Sequence, residues 1–316
     1  NKITENPRLD HCYEAGNLAV DFGAEFVIGI GGGSPLDAAK AVAVYAANPE
    51  MKRDEIYTIT NRNKALPIVA IGTTAGTGSE VGKVSVLTHP VTGRKKSISP
   101  MDCFPTLTYA DPKYTHSMPY DITVSTALDA LCHAVESMFS PRADFLSKQF
   151  SLLSVKLIYP LLEKMHNTKE LPNAEERDIL YFASLYAGFA LNKGGTGFPH
   201  GMGYALTEDF GVPHGLACAV FLPQYLKEAK KADSELYKEL MTAMNTDFES
   251  LNNLFNDFCS FEFTVSDEQI ANYVERWETL KNFKNSPTDF NNKDAGKLVE
   301  KLFQKKCLDG FCLKFA

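Results

Sequence analysis

Apolar and polar positions change rhythm about a third of the way along the chain. In the first part, short apolar runs alternate with stretches of helical period. Asp10–Phe22 reads as a helix. Glu25–Ile30 (EFVIGI) is a short β-branched run, of the length that suits a strand in a sheet covered on both faces. Gly31-Gly32-Gly33 then turns the chain into a predicted helix over Ser34–Ala46. Ser34 is its expected N-cap, Pro35 its first helical residue and Asp37 its capping-box partner. Pro67–Ile71 (PIVAI) is a second buried-strand run and ends in another turn rich in glycine and threonine. Val84–Leu87, Ser97–Ser99 and Thr106–Tyr109 read as shorter strands. This alternation predicts a sheet with helices packed on its faces.

From about His116 the strand-like runs stop. Thr123–Phe139, Ala143–His166, Asn173–Asn192 and Ala217–Ala229 carry helical periodicity, punctuated by Pro119, Pro141, Pro172, Pro199 and Pro213. Asn282–Lys293 is polar and reads as a surface loop. The expected organisation is an α/β domain over residues 1–115 and an all-helical domain over 116–316.

Composition narrows the possible partners. The 316 residues hold 32 Lys+Arg against 39 Asp+Glu, a formal net charge of −7, with the basic residues scattered. That argues against a nucleic-acid or anionic-membrane surface. No apolar run approaches the roughly 18–20 residues of a spanning helix. The seven cysteines are mostly far apart and form no CxxC pair. This fits a reducing, cytoplasmic setting, and neither a disulfide framework nor a cysteine-ligated zinc. No role is assigned to the cysteines.

Two turns are candidates for anion or nucleotide binding. In GIGGGSPLDAAK the glycines lie between a strand and a helix, where free N–H groups and the helix dipole favour an anion. Gly32, Gly33 and Ser34 occupy the turn, with Asp37 just inside the helix. Ser34 stands where the third glycine of the common dinucleotide fingerprint falls, and a tight turn that only closes a strand–helix unit remains the alternative. The second turn, TTAGTGSE, offers Thr73, Thr74 and Thr77 in the same position after a strand. Its hydroxyls suit either a nucleotide or a helix cap. In open α/β sheets the ligand crevice lies beyond such strand ends.

Thr123–Phe139 carries an apolar stripe of Val124, Leu128, Leu131, Val135 and Met138, with Asp129 and His133 one turn apart on the opposite face. That spacing lets a carboxylate and an imidazole converge on one ion. It equally describes an ordinary Asp–His pair on a solvated face. His200 and His214 each follow a proline and precede a glycine, near expected helix starts. One carboxylate and three imidazoles suit a borderline divalent ion such as Fe(II) or Zn(II), which can act as a Lewis acid. His11, His89, His116 and His166 show no partner pattern.

Taken together, GGGSPLDAAK, TTAGTGSE, Asp111-Pro112, ALDALCHAVES and the two His-Gly motifs fourteen residues apart resemble the iron-containing (group III) alcohol dehydrogenases. The resemblance implies an N-terminal Rossmann-like nucleotide domain and an all-α C-terminal domain, in a dehydroquinate synthase-like architecture with the site in the cleft. It implies reversible hydride transfer between NAD or NADP and a primary alcohol/aldehyde pair. It gives Asp129, His133, His200 and His214 as ligands of Fe(2+), or of Zn(2+). Gly32, Gly33 and Ser34, with Asp37 beside them, would hold the cofactor pyrophosphate. Thr73, Thr74, Thr77 and Val86 would line the adenosine and nicotinamide portions, and Lys95 would touch the cofactor. On residue pattern alone Arg94, Lys95 and Lys96 read as a solvated hairpin turn. The resemblance further implies a small-molecule substrate and a homo-oligomer, dimer or larger. Phe139, Phe145 and Phe198 are expected to shape an apolar pocket.

The chain departs from the family pattern in two places. Tyr204 stands where many members carry a further histidine proposed to help proton transfer, so Tyr204 becomes a candidate proton relay. Members also carry roughly one βαβ-sized segment before the first residue seen here, and the nucleotide domain is therefore expected to be N-terminally incomplete. Asp54 and Glu55 are set aside as ribose readers, because in the family that role belongs to the earlier segment. Other readings are a zinc-dependent polyol dehydrogenase of the same superfamily, a dehydroquinate synthase-like lyase, and a catalytically silent binding or assembly protein.

Overall fold

The computed structural model describes residues 3–304 and the short paired segments 307–308 and 311–312. The first part contains α1 (Leu9–Phe22), β1 (Val27–Gly31), α2 (Gly33–Ala46), β2 (Ile68–Gly72), β3 (Ser85–Thr88), β4 (Lys95–Ile98) and β5 (Leu107–Tyr109). β1, β2 and β5 form a parallel sheet in that order, with Gly31 level with Gly72. The two glycine-rich turns therefore leave the same edge of the sheet side by side. β3 and β4 pair as an antiparallel hairpin. Leu9, Cys12, Ala41, Val44, Tyr45, Leu87 and Cys103 make a core of their own beneath α1 and α2.

β1 is not covered on both faces. α2 packs over Gly29, while Ile28 and Ile30 alternate to the other side and are 51% and 60% exposed. The apolar run is the same as in a doubly covered strand, but among the described residues only one face receives a helix.

The start of α2 also differs from expectation. Gly32, in extended backbone, is the N-cap and Gly33 the first helical residue, with no side-chain cap. Ser34 Oγ instead accepts the N–H of Asn6 at 3.1 Å. Asp37 closes no capping box. Its carboxylate accepts from Ser79 Oγ (2.6 Å) and the Val86 N–H (2.8 Å). It lies 3.7 Å from Lys40 Nζ, which donates to Ser79 O, Ser79 Oγ and Val84 O. This buried network ties α2 to the second glycine turn and to β3.

The remainder is helical: α3 (Tyr120–Met138), α4 (Phe145–Thr168), α5 (Ala174–Gly194), α6 (Phe198–Phe210), α7 (His214–Ala219) and α8 (Leu222–Ala232). They are followed by α9 (Ser234–Met244), α10 (Phe248–Phe258), α11 (Asp267–Arg276), α12 (Lys281–Lys284) and α13 (Asn292–Phe303). α3 is the central helix, buried at nearly every position from Thr123 to Met138 and packed against α4, α5 and α7. The helix expected over Ala217–Ala229 is two helices. The chain turns at Val220–Phe221, and Pro223 sits in the first turn of α8, where its missing N–H costs no helical bond.

The expected loop over 282–293 is partly core. Asn285 and Ser286 are buried, and their side chains meet backbone groups at the end of α5 and the start of α6. Asn285 Nδ2 donates to Gly194 O at 2.8 Å, and the Phe198 N–H donates to Ser286 Oγ at 3.0 Å. Their polarity serves helix ends rather than water.

Candidate metal centre and nucleotide cleft

Three helices aim side chains at one point. α3 supplies Asp129 and His133 from successive turns, α6 supplies His200 from its first turn, and α7 opens on His214. Asp129 Oδ1 is the hub, 3.3 Å from His200 Nε2 and 3.9 Å from the Nε2 atoms of His133 and His214. The rings of His133 and His200 stack with centroids 4.4 Å apart. Close packing allows this convergence. A Cβ at Gly215 would overlap the Ser125 carbonyl oxygen, so only glycine lets the start of α7 lie against α3.

Asp129 Oδ1 and His200 Nε2 are buried with no hydrogen-bond partner. Two such atoms facing each other are costly unless something accepts their lone pairs. A divalent cation fits that requirement, and the carboxylate–imidazole chemistry suits it. Access is one-sided: the side chains of Asp129, His133 and His200 are at most 8% exposed, whereas that of His214 is 26% exposed.

Burial and charge set the protonation of the cluster. Burial alone would raise the Asp129 carboxyl, but His133, His200 and His214 outweigh it and hold it well below the carboxylate range. Burial pushes His133 down to about 4. It also lowers His214, aided by the Lys95 charge. His200 goes the other way, because Cys218, Glu136 and Asp129 together overcome its desolvation.

Glu136, one turn beyond His133, is fully buried behind the cluster. His200 Nδ1 donates to its Oε1 at 2.5 Å and the Gly197 N–H donates to its Oε2 at 2.8 Å. This fixes the ring with Nε2 turned to the centre, the usual arrangement of a carboxylate behind a metal-binding histidine. Sequence reasoning passed over Glu136. The signal was present, since polar positions 129, 133 and 136 recur at four and three residues on one helix face. Cys218 was also passed over. Its Sγ lies 3.8 Å from both ring nitrogens of His214, one turn earlier on α7.

At the sheet edge the two glycine turns touch. A Cβ at Gly33 would come within 2.6 Å of Thr77 Cγ2, and one at Gly32 within 3.0 Å of Thr74 Cγ2. The Thr73 N–H donates to Gly31 O at 2.9 Å. Gly76 lies against Thr126 of α3, so the second turn reaches the helix that carries Asp129. Lys95, at the start of β4, is half-buried with Nζ 5.4 Å from the centre of the Tyr204 ring. Tyr204 in turn stacks on His214 at 5.3 Å.

Both halves of the chain match one family. Residues 1–112 match the description "Iron-containing alcohol dehydrogenase", and residues 123–303 match "Fe-containing alcohol dehydrogenase family, C-terminal". The chain belongs to the iron-containing alcohol dehydrogenase family.

Among relatives, an NADPH-dependent butanol dehydrogenase of Clostridium saccharobutylicum is 31% identical over 80% of this chain and 66% of its own length. A 1,3-propanediol dehydrogenase of Klebsiella pneumoniae is 31% identical over 73% of this chain and 59% of its own. The chain thus spans about two thirds or less of these curated relatives. The structure of an iron-containing alcohol dehydrogenase from Thermotoga maritima superposes with a TM-score of 0.86 at 32% identity, covering 95% of this chain and 81% of that one. A sulfoacetaldehyde reductase from Bifidobacterium kashiwanohense, in complex with NAD+, gives 0.84 at 28% identity, covering 96% and 82%.

In this member of the iron-containing alcohol dehydrogenase family, several expected residues are differently engaged. The polar atoms of Ser34 and Asp37 already have partners within the protein. Val86 presents its N–H to Asp37. Lys95 is not part of a solvated turn, although Arg94 and Lys96 are exposed. Phe145 is 79% exposed, while Phe198 is buried and stacked on Phe290, so the expected trio forms no common pocket wall.

Proposed function

We propose that the protein is a metal-dependent, NAD(P)-linked alcohol dehydrogenase that interconverts a primary alcohol and its aldehyde in the cleft between residues 1–115 and 116–316. The convergence of Asp129, His133, His200 and His214 from three helices, with unpartnered ligand atoms at its centre, carries the reading. The printed names of the relatives support it. When bound, Fe(II) or Zn(II) supplies a Lewis acid for the substrate oxygen, and the nicotinamide exchanges the hydride.

The chain's own residues bind and orient. Asp129, His133, His200 and His214 hold the ion, and Glu136 holds His200 in register. The N–H groups at Gly32 and Gly33 receive the pyrophosphate at the start of α2. Thr73, Thr74, Thr77 and Val86 line the rest of the cofactor, and Lys95 contacts it. Ser34 and Asp37 act through the backbone they fix rather than through free polar atoms. Burial pushes the Tyr204 phenol above its ordinary value, so near neutrality Tyr204 keeps its proton and serves as a hydrogen-bond donor rather than a base.

The reading includes a cytoplasmic homo-oligomer acting on small molecules, not on nucleic acid or membranes. No described helix is long and apolar enough to cross a membrane. The propanediol-dehydrogenase relatives favour a polyol as the second substrate reading, and a diol against monoalcohol comparison separates the two. The central test is reduction of butyraldehyde by NADH or NADPH with metal-loaded protein. Turnover is expected, and expected to vanish in a folded His200→Ala variant. Unchanged turnover in that variant would sink the metal role. No turnover with either cofactor leaves the silent binding protein in its place.

A further inference from the structure

α7 presents two metal-binding side chains one turn apart, His214 and Cys218. Cys218 is fully buried, and its sulfur lies 3.8 Å from both ring nitrogens of His214 and within hydrogen-bonding reach of His200. The donor atoms of Asp129, His200, His214 and Cys218 all lie within 4.8 Å of one another. Two ligands of one ion at the tetrahedral angle lie about 3.5 Å apart, given bonds of about 2.3 Å to sulfur and about 2.0–2.2 Å to nitrogen or oxygen. The foursome thus has to contract by up to about an ångström to close on a single ion. A second feature points into the same space, because Asp129 Oδ1 and His200 Nε2 are buried and unpartnered there. Gly203 brings α6 so close that a Cβ on it would lie 3.0 Å from the sulfur, which holds Cys218 in place from the side of α6.

We propose that Cys218 is a ligand of the same ion, joining Asp129, His200 and His214 with His133 as a further imidazole, and that its sulfur biases the centre toward Zn(II) over Fe(II). The inference rests on the metal-site reading above. Thiolate is the soft donor that selects zinc, whereas imidazole and carboxylate serve both ions. On binding, the S–H bond breaks, the sulfur keeps the electron pair and the proton leaves to solvent.

The test is titration of the metal-free protein with Co(II), followed by electronic absorption. One equivalent is expected to give visible ligand-field bands together with an intense near-ultraviolet sulfur-to-cobalt charge-transfer band. Cys218→Ala and Cys218→Ser remove the charge-transfer band and keep the ligand-field bands, whereas Cys132→Ala keeps both. Competition between Zn(II) and Fe(II) shifts away from zinc by about tenfold or more in Cys218→Ala. Ligand-field bands without the sulfur band in the parent protein, or a sulfur band that survives Cys218→Ala, overturns the Cys218 assignment and leaves the metal site standing. Absence of Co(II) uptake overturns both.

Discussion

Replacing Glu136 by glutamine tests whether the centre depends on the residue behind it. Glu136 touches no reacting group. It accepts from His200 Nδ1 at 2.5 Å and from the Gly197 N–H at 2.8 Å, in a fully buried setting. Alanine would strand these donors, and the His200 N–H that reaches the same carboxylate at 3.4 Å, at about 1–3 kcal/mol each and threaten the fold. Glutamine keeps the shape but has one acceptor oxygen. Its amide NH₂ must face either the histidine or the glycine, so one of the two bonds is lost and His200 loses the negative charge that raises its basicity. Changes behind a metal-binding histidine typically weaken metal affinity 10–100-fold, which is about 1.4–2.7 kcal/mol. Zn(II) competition against a chromophoric chelator reads the affinity, and urea denaturation of the metal-free variant reads the fold separately. A folded Glu136→Gln protein that binds zinc within about twofold of the parent would refute the argument that Glu136 positions His200.

Three further outcomes are expected. Gly215→Ala forces a methyl into the Ser125 carbonyl, so stability should drop by about 1–3 kcal/mol and zinc affinity with it as His214 moves, and thermal melting with and without zinc checks this. Lys40→Met leaves Asp37, a half-buried carboxylate, without its cation, costing about 2–4 kcal/mol in urea denaturation, with partial recovery in Asp37→Asn/Lys40→Met. His133 is held down at about 4 by burial against an ordinary value of 6.5, so the unfolded chain takes up the proton first as pH falls. Relative to His133→Asn, the metal-free parent should therefore lose up to about 3 kcal/mol between pH 6.5 and 4 and nothing above it, and a pH-independent difference would count against a buried neutral imidazole.

What could be read from sequence depended on whether a residue's purpose was local. α1, β2 and α3 are recognised from apolar rhythm, although α3 is buried on nearly every face rather than along one stripe. The expected cap on Ser34 failed because the cap is a backbone conformation, and Gly32 adopts it two residues before the residue with the better side chain. The Ala217–Ala229 reading ran two helices together by ignoring Pro223, a signal that was in plain view. Asn285 and Ser286 looked like loop because polarity alone does not say what it is aimed at, and their targets are Gly194 and Phe198, roughly ninety residues away. The candidate metal centre raises the same problem in sharper form. Asp129 and His133 fit a solvated face as well as a ligand pair until His200 and His214, 67 or more residues later in the chain, close over them. They stood out only because the ligand types repeat, as Asp-x3-His and as Pro-His-Gly twice. Cys218 carries no such repetition, and Glu136 is marked only by its place on the same polar helix face as Asp129 and His133. A side chain that acts through a single distant partner leaves no period in the sequence, so the groups that hold and tune a site are systematically harder to read than the groups that form it.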